Sequence, residues 1–171
     1  DGGENIGAWP RARWAALIEQ LTAHQPRMIG IDVAFDTPGW DAGGDSLLAA
    51  AIQQSRRVIL IGHAQKSISG VALQSYSPPI PELAKAAAAS GAALVVVDAS
   101  GSVRAAPLLW SSGDQTIPAF ALAAAVLLQE GKPVDITMND LGEDGAAAIN
   151  YRGPEGSFST ISLMDILEGN T

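Results

Sequence analysis

Three short apolar segments, each following a helical pattern, constrain the fold of this chain more than any other feature. The segments are rich in β-branched residues, which is typical of buried strands, and they cover residues 29–33, 58–61 and 94–97. The helical patterns that precede them cover residues 10–24, 45–55 and 81–90. This alternation predicts an α/β fold: a single domain with a mainly parallel central sheet flanked by helices.

Cap and turn residues set the bounds of these elements. Asp45 is the expected N-cap of the second helix, because its short carboxylate can accept a hydrogen bond from a first-turn amide. Gly91 is the expected end of the third helix, where a left-handed residue is favoured. Residues 65–81 are polar and contain several Ser and Pro residues. This composition predicts a long surface loop between the second strand and the third helix.

The pattern changes after Asp98. The next segment reads as extended chain around a Ser-Gly-Asp turn, and it is followed by an apolar helix that Gly131 closes. A strand is predicted over residues 146–153 and a short last helix with Ser162 as its N-cap. Neither an internal repeat nor a linker is visible, so the whole chain is expected to form one domain.

Charge and composition exclude several classes of function. The chain has 18 acidic against 10 basic residues and a formal net charge of −8. Nucleic acids and anionic lipid surfaces require a basic footprint, so neither is an expected partner. With no cysteine, the chain has neither disulfides nor a thiolate metal site. The longest apolar run, residues 119–128, is too short to span a bilayer, which takes about 20 residues.

The stretch VVVDASGSV contains an Asp-x-Ser-x-Ser motif, formed by Asp98, Ser100 and Ser102. The same spacing occurs in the metal-ion-dependent adhesion site of von Willebrand A-type domains. There the motif follows the first strand and leads into a helix, whereas here it follows the third predicted strand and leads into extended chain. Ser and Asp are also common in ordinary turns. We therefore expect no metal at Asp98, and no other part of the sequence calls for a metal or a cofactor.

Acidic residues also follow the first predicted strand. Asp32 and Asp36 are four residues apart, whereas haloacid-dehalogenase phosphatases carry two aspartates separated by two. No Gly-rich phosphate loop and no nucleophile elbow is present. His63 follows the second predicted strand and can line a pocket, but no catalytic constellation surrounds it. A strand-end Asp that bonds loop amides is the simpler interpretation of these carboxylates.

Five segments in the correct order resemble one known family. They are WPRARWAALIEQL, MIGIDVAFDTPGWDAGGDSLLAAAI, VVVDASGSVRAAPLL, GDQTIPAFALAAA and INYRGPEGSFSTISLMDIL. They are similar to the opening Trp-Pro-Arg helix, the strand with its acidic loop, the Asp-to-Pro-Leu segment, the later helix and the Tyr-Arg-Gly-Pro turn of the type-two CHASE domain. This is the second class of cyclase- and histidine-kinase-associated sensory extracellular domains. The family often has a second Asp where this chain has Ser100, so this chain lacks that carboxylate.

The resemblance implies an extracytoplasmic sensory domain over residues 1–171 that has no catalysis of its own. In the family such a domain is followed by a further strand, transmembrane helices and a cytoplasmic output module, so the chain is expected to be truncated at its C-terminal end. The output is a cyclase, a histidine or serine/threonine kinase, or a diguanylate cyclase. A homodimer is possible. The alternative is a small hydrolase-like enzyme that uses the strand-end acids Asp32, Asp36 and Asp98.

Ligands of open α/β sheets bind outside the carboxyl ends of the strands, where the loops separate. The candidate ligand-binding residues at this edge are Asp32, Phe35, Asp36, His63, Asp98 and Arg104. Arg104 lies in an extended segment, and its guanidinium is expected to reach Asp32 or Asp36 or else to be a solvated charge. The acidic rim favours a cationic or polyhydroxyl ligand. The competing hypothesis is that the domain responds to a partner protein and binds no small molecule.

Overall fold

The computed structural model describes residues 6–67, 72–129, 141 and 145–169. The helices are α1 (Arg11–Ala23), α2 (Gly44–Ser55), α3 (Pro81–Ala86), α4 (Phe120–Leu128) and α5 (Leu163–Glu168), with a short 3-10 helix at Ile6–Ala8. The strands are β1 (Ile29–Ala34), β2 (Val58–Lys66), β3 (Leu73–Ser77), β4 (Ala89–Ala92), β5 (Ala105–Pro107), β6 (Leu109–Ser112), β7 (Gln115–Pro118) and β8 (Ala146–Ala148).

Strand β2 is the centre of the main sheet. Its first half pairs in parallel with β1, with Ile29 opposite Val58, and in parallel with β4, with Ile59 opposite Ala89. Its second half pairs with β3 in the antiparallel direction. The prediction of an α/β domain with a mainly parallel sheet is therefore confirmed, because helices connect the three parallel strands.

Two hydrophobic cores flank β2. The larger core joins α1, α2, α3 and α5 to one face of the sheet, and Ile18, Ile52, Val58 and Leu60 are fully buried in it. The smaller core gathers around Trp110 of β6, which is 1% exposed. The hairpin of β6 and β7, together with β3 and β4, supplies the rest of this second core. Helices α1, α2, α3 and α5 thus lie on one face of the sheet. Helix α4 packs on the opposite face, where the ring of Phe120 lies against Gly30 of β1.

The third parallel strand is not where the sequence predicted it. Residues 94–97 form no strand, and Val95 and Val97 are 66% and 56% exposed. The strand is instead Ala89–Ala92, since α3 ends at Ala86 rather than at Gly91. A side chain at Gly91 would lie 2.8 Å from the carbonyl oxygen of Pro118. The strand therefore forms at the small residues of 89–92, because they let the chain before α4 approach it closely.

Two further predictions about the first half of the chain are wrong. The loop predicted over residues 65–81 contains β3, which extends the sheet along the second half of β2. Asp45 is not the N-cap of α2. The N-cap is Gly43, which has a left-handed backbone with φ 72°, and the Asp45 carboxylate bonds elsewhere. A glycine suits this cap because other residues rarely adopt a positive φ.

Several predictions about the second half are confirmed. Extended chain surrounds the Ser-Gly-Asp turn as the β6–β7 hairpin, and the apolar helix is α4. Ser162 caps α5, since its hydroxyl accepts a hydrogen bond from the amide of Met164 at 3.2 Å. The strand predicted over residues 146–153 is confirmed only at its start, as β8 (Ala146–Ala148), which pairs with β5. The predicted helix end at Gly131 lies outside the described residues.

Candidate functional site

Asp36 and His63 meet at the carboxyl edge of the parallel part of the sheet. Asp36 comes two residues after β1, and His63 follows Gly62, the last residue of β2 that pairs with β4. Because β1 and β2 are parallel neighbours, the two side chains reach the same point, where Nδ1 of His63 lies 3.3 Å from Oδ2 of Asp36. The side chain of His63 is 55% exposed and that of Asp36 is 23% exposed. A ligand in solution can therefore reach both groups.

Phe35 and Asp32 are placed differently from this pair. The ring of Phe35 is 1% exposed and belongs to the larger core, where Trp14 contacts its edge at a centroid distance of 5.7 Å. Asp32 is exposed on β1, between Ile31 and Val33, whose side chains contact the larger core. Alternation along the strand puts Asp32 on the opposite face. Of these two residues, only Asp32 offers a polar group to the surface.

Arg11 at the start of α1 holds the loop that follows Asp36. Its Nη2 donates a hydrogen bond to the carbonyl oxygen of Thr37 at 2.7 Å, and its Nε donates to Oδ1 of Asp45 at 3.1 Å. The guanidinium also lies over the ring of Phe35, 4.4 Å from the centroid. Arg11 is buried, at 9% exposure. This one side chain therefore joins α1, the loop and the first turn of α2.

Asp41 of the same loop caps α1 from outside the helix. Its two carboxylate oxygens accept hydrogen bonds from the backbone amides of Arg11 and Ala12, at 3.1 and 3.2 Å. Desolvation opposes ionisation of this carboxyl, but the hydrogen bonds from the Arg11 and Ala12 amides outweigh it and lower the pKa of Asp41. An ionised carboxylate at a helix N-terminus also complements the helix dipole.

The second carboxylate of the loop completes this arrangement. Oδ2 of Asp45 accepts a hydrogen bond from the amide of Gly39 at 2.9 Å, while its other oxygen binds Arg11. The segment between Asp36 and α2 is thereby fixed at both the backbone and the side chains. Sequence reasoning missed these contacts. The Trp-Pro-Arg motif and the acidic loop contained the signal, but nothing in the sequence paired one with the other.

Asp98 binds its own turn. Oδ1 accepts hydrogen bonds from the amide and the hydroxyl of Ser100, at 2.8 and 2.6 Å, and from the amide of Ser102 at 3.0 Å. Gly101 closes the turn with φ 81°. The hydroxyl of Ser100, together with the Ser102 and Ser100 amides and Arg104, lowers the pKa of Asp98. The Asp-x-Ser-x-Ser motif is therefore a self-bonded turn whose oxygens already have partners.

Arg104 also belongs to this turn and not to the rim beside β1. Its Nη1 pairs with Oδ2 of Asp98 and donates a hydrogen bond to the hydroxyl of Ser100 at 2.8 Å. The expectation that it reaches Asp32 or Asp36 is wrong, because a partner six residues away in the chain is closer. The side chain of Arg104 is 66% exposed.

A second motif holds the backbone of this turn. The hydroxyl of Tyr151 donates a hydrogen bond to the carbonyl oxygen of Val103 at 2.7 Å. The backbone amide of Ile149 donates one to the carbonyl oxygen of Arg104 at 2.8 Å. The Tyr-Arg-Gly-Pro segment thus packs against the Asp98–Arg104 turn. Four of the six candidate residues form two groups, Asp36 with His63 and Asp98 with Arg104. Phe35 lies in the larger core and Asp32 on the surface of β1.

Neither group resembles a metal centre. Within residues 6–67, 72–129, 141 and 145–169, no set of three or more His, Asp or Glu side chains is arranged to hold an ion. In the same part of the chain, the helices are too short or too polar to cross a membrane.

The elements described above define a small α/β domain with exposed polar groups at its sheet edge. The CHASE2 domain family matches residues 4–171, so the chain belongs to the CHASE2 family. CHASE2 domains are the extracellular sensory domains of signalling receptors in the membrane. Comparison with curated proteins and with solved structures gives no significant match.

Proposed function

We propose that this domain is the extracytoplasmic input domain of a bacterial transmembrane receptor and performs no catalysis itself. The observation that carries the proposal is the family match over residues 4–171. The output module of such a receptor is a cyclase, a histidine or serine/threonine kinase, or a diguanylate cyclase. The domain then lies in the periplasm or at the cell surface, attached to a membrane-anchored parent protein.

The Asp36–His63 pair is the proposed place of recognition. It lies where open α/β sheets bind ligands, and its two side chains are accessible while the loop beside them is held by Arg11. A carboxylate and an imidazole can both accept hydrogen bonds from hydroxyl groups. The site therefore favours a cationic or polyhydroxyl ligand. Asp32 is the nearest further acid along β1.

The positions of the acids support a binding role over hydrolysis. A hydrolase that used the strand-end acids would bring carboxylates together, so that one is held protonated and the other ionised. Here Asp36 contacts His63, and Asp98 contacts Ser100, Ser102 and Arg104. These two carboxylates serve different partners. This separation supports the proposal, carried by the family match, that the domain has no turnover of its own.

The receptor's own output tests the role of the rim. In the full-length receptor, Asp36→Asn and His63→Gln are expected to weaken the response to the inducing condition at least about tenfold, as loss of a charged hydrogen-bonding group does. Asp114→Asn, an exposed acid in the β6–β7 turn, is the matched control and should respond normally. Unchanged responses in both rim variants would exclude the site.

A partner protein or a second copy of this chain is the alternative recognition partner. Sedimentation of the isolated chain tests for a second copy, because a dimer doubles the sedimenting mass. If the rim binds a small molecule, NMR shifts on titration with cationic and polyhydroxyl compounds should centre on Asp36 and His63. Shifts confined to the opposite edge of the sheet would contradict the proposed place of recognition.

A further inference from the structure

Helix α4 is apolar on every side but is only partly covered. All nine of its residues, FALAAAVLL, are hydrophobic, and Ala123 is the one buried among them. Val126 is 47% exposed, and Leu122 and Leu127 are half-buried. A helix that is hydrophobic all round is normally buried. The surface that α4 presents is therefore built for an apolar contact.

A groove lies between α4 and the start of β4. Ala88 and Ala89 line one side, Leu122, Val126 and Leu127 line the other, and Pro118 lies at one end. That end is closed, because the chain from Pro118 to Phe120 packs directly on Gly91. The groove has a volume of about 450 Å³. Pockets for small molecules range from about 300 to 1,000 Å³.

We propose that this groove binds an uncharged, apolar small molecule. Ser90 is the polar side chain among the described residues that line it, and the Ser90 hydroxyl bonds to Tyr76. In a chain with a net charge of −8, an uncharged wall of this kind disfavours ions of either sign, because a buried charge without a partner is costly. Apolar burial is the attraction that the groove offers.

The size and shape of the groove favour a small molecule over a protein. One turn of an α-helix with its side chains is about 10 Å wide and 5.4 Å long, and this alone would fill the groove. A second copy that is related by a two-fold axis through the groove would present the same concave surface, and two concave surfaces facing each other leave a void. A small ligand can fill the space in full.

The groove is separate from the rim at Asp36 and His63. Ala89 pairs with Ile59 near the start of β2, whereas His63 follows the parallel part of that strand. At the rise of a strand, these positions are about 13 Å apart along β2. The inference goes beyond the proposed function by assigning a second ligand class to the domain, and it does not depend on the rim. Binding to the isolated chain tests the groove, while receptor output tests the rim.

Nile red, an uncharged apolar dye whose fluorescence rises in apolar surroundings, is the probe. The isolated chain should bind it saturably with one site. Val126→Asp should weaken binding at least about tenfold, because it places a charge in the apolar wall. Val95→Asp changes the same residue type at a position that is 66% exposed and outside the groove. Its binding should stay within about twofold of the unaltered chain.

Ala88→Trp provides a second test, because Ala88 is exposed and an indole there fills the groove without disturbing the core. This variant should also lose the dye while its circular dichroism spectrum is retained. Any of three binding results would overturn the proposal: no saturable binding to the folded chain, equal loss in Val126→Asp and Val95→Asp, or retained binding in Ala88→Trp. Dimerisation that depends on Val126 would assign the face to a second copy instead and would also overturn it.

Discussion

The Nε atom of Arg11 donates a hydrogen bond to the carboxylate of Asp45 across 3.1 Å, which joins the first turn of α1 to the first turn of α2. Both side chains are largely buried, at 11% and 19% exposure. A pair of this kind stabilises by satisfying the charges that the fold has already buried, and removal of one partner leaves the other unpaired. The loop beside the proposed rim depends on this contact.

Arg11→Ala should therefore destabilise the domain by about 2–4 kcal/mol. Arg11→Lys keeps the charge but cannot bind Thr37 and Asp45 together or stack on Phe35 with a planar group, so it should restore less than half of the loss. Urea unfolding at neutral pH measures both values. Arg152→Ala, at an exposed position, is the control and should change little. Full rescue by Lys would show that charge alone matters here.

Asp41→Asn should lower stability by about 1 kcal/mol at neutral pH, since the carboxylate caps two amides of α1. The pKa of Asp41 is lowered from 3.8, so its stabilising contribution is complete above this value and is lost as the pH falls through the folded-state pKa. The difference between the unaltered chain and the variant should thus shrink on acidification. Urea unfolding at a series of pH values tests this, and a difference independent of pH would contradict it.

Ser100→Asp should raise the pKa of Asp98. The substitution removes the hydroxyl that bonds Oδ1 at 2.6 Å and places a second negative charge beside it, and both changes disfavour ionisation. Ser100→Ala removes the hydrogen bond alone. The pKa of Asp98 in this variant should therefore lie between its values in the unaltered chain and in Ser100→Asp. NMR titration of the Asp98 carboxyl carbon gives all three values. A lower pKa in Ser100→Asp than in Ser100→Ala would refute this account of the turn.

Gly62→Ala should destabilise the sheet by about 1–3 kcal/mol. A Cβ at this position would lie 2.5 Å from the ring of Tyr76, and that ring is half-buried in the second core. In a Tyr76→Leu background the smaller side chain relieves the contact, so the same substitution should cost at least about 1 kcal/mol less. Thermal or urea unfolding of the four chains completes the cycle. Equal costs in both backgrounds would place the strain elsewhere.

The local hydrophobic pattern correctly predicted the strands that pack on the larger core. β1 and β2 have β-branched runs that face the larger core, so propensity and burial agree there. In residues 94–97 they disagree: the valines favour a strand, but no strand of the described residues pairs with them. The Ala- and Gly-containing β4 takes the place beside β2 instead, because close approach of the backbone at Pro118 requires small residues. Strand propensity depends on such context.

The candidate site was predicted in part. Parallel neighbours bring Asp36 and His63 together, which follows from strand order alone. The partner of Arg104 could not be predicted from strand order. The sequence does not distinguish Asp98 from the acids after β1 as a partner, and the chain conformation after Asp98 decides between them. Arg11, Asp41 and Asp45 are separated by up to 34 residues. Their contact depends on how α1 and α2 pack, which no local pattern encodes.

The three pairing partners of β2 restrict how His63 can move. A slip of one residue along β2 would turn its buried side chains to the opposite face, and Val58 and Leu60 are fully buried. An extended chain also stretches very little. His63 can therefore rotate its ring but cannot slide along the strand, because the second half of β2 is paired with β3, where Ser77 lies opposite His63. Any displacement that a ligand causes at the rim must pass into the segment after Asp36, and from there through Arg11 into α1.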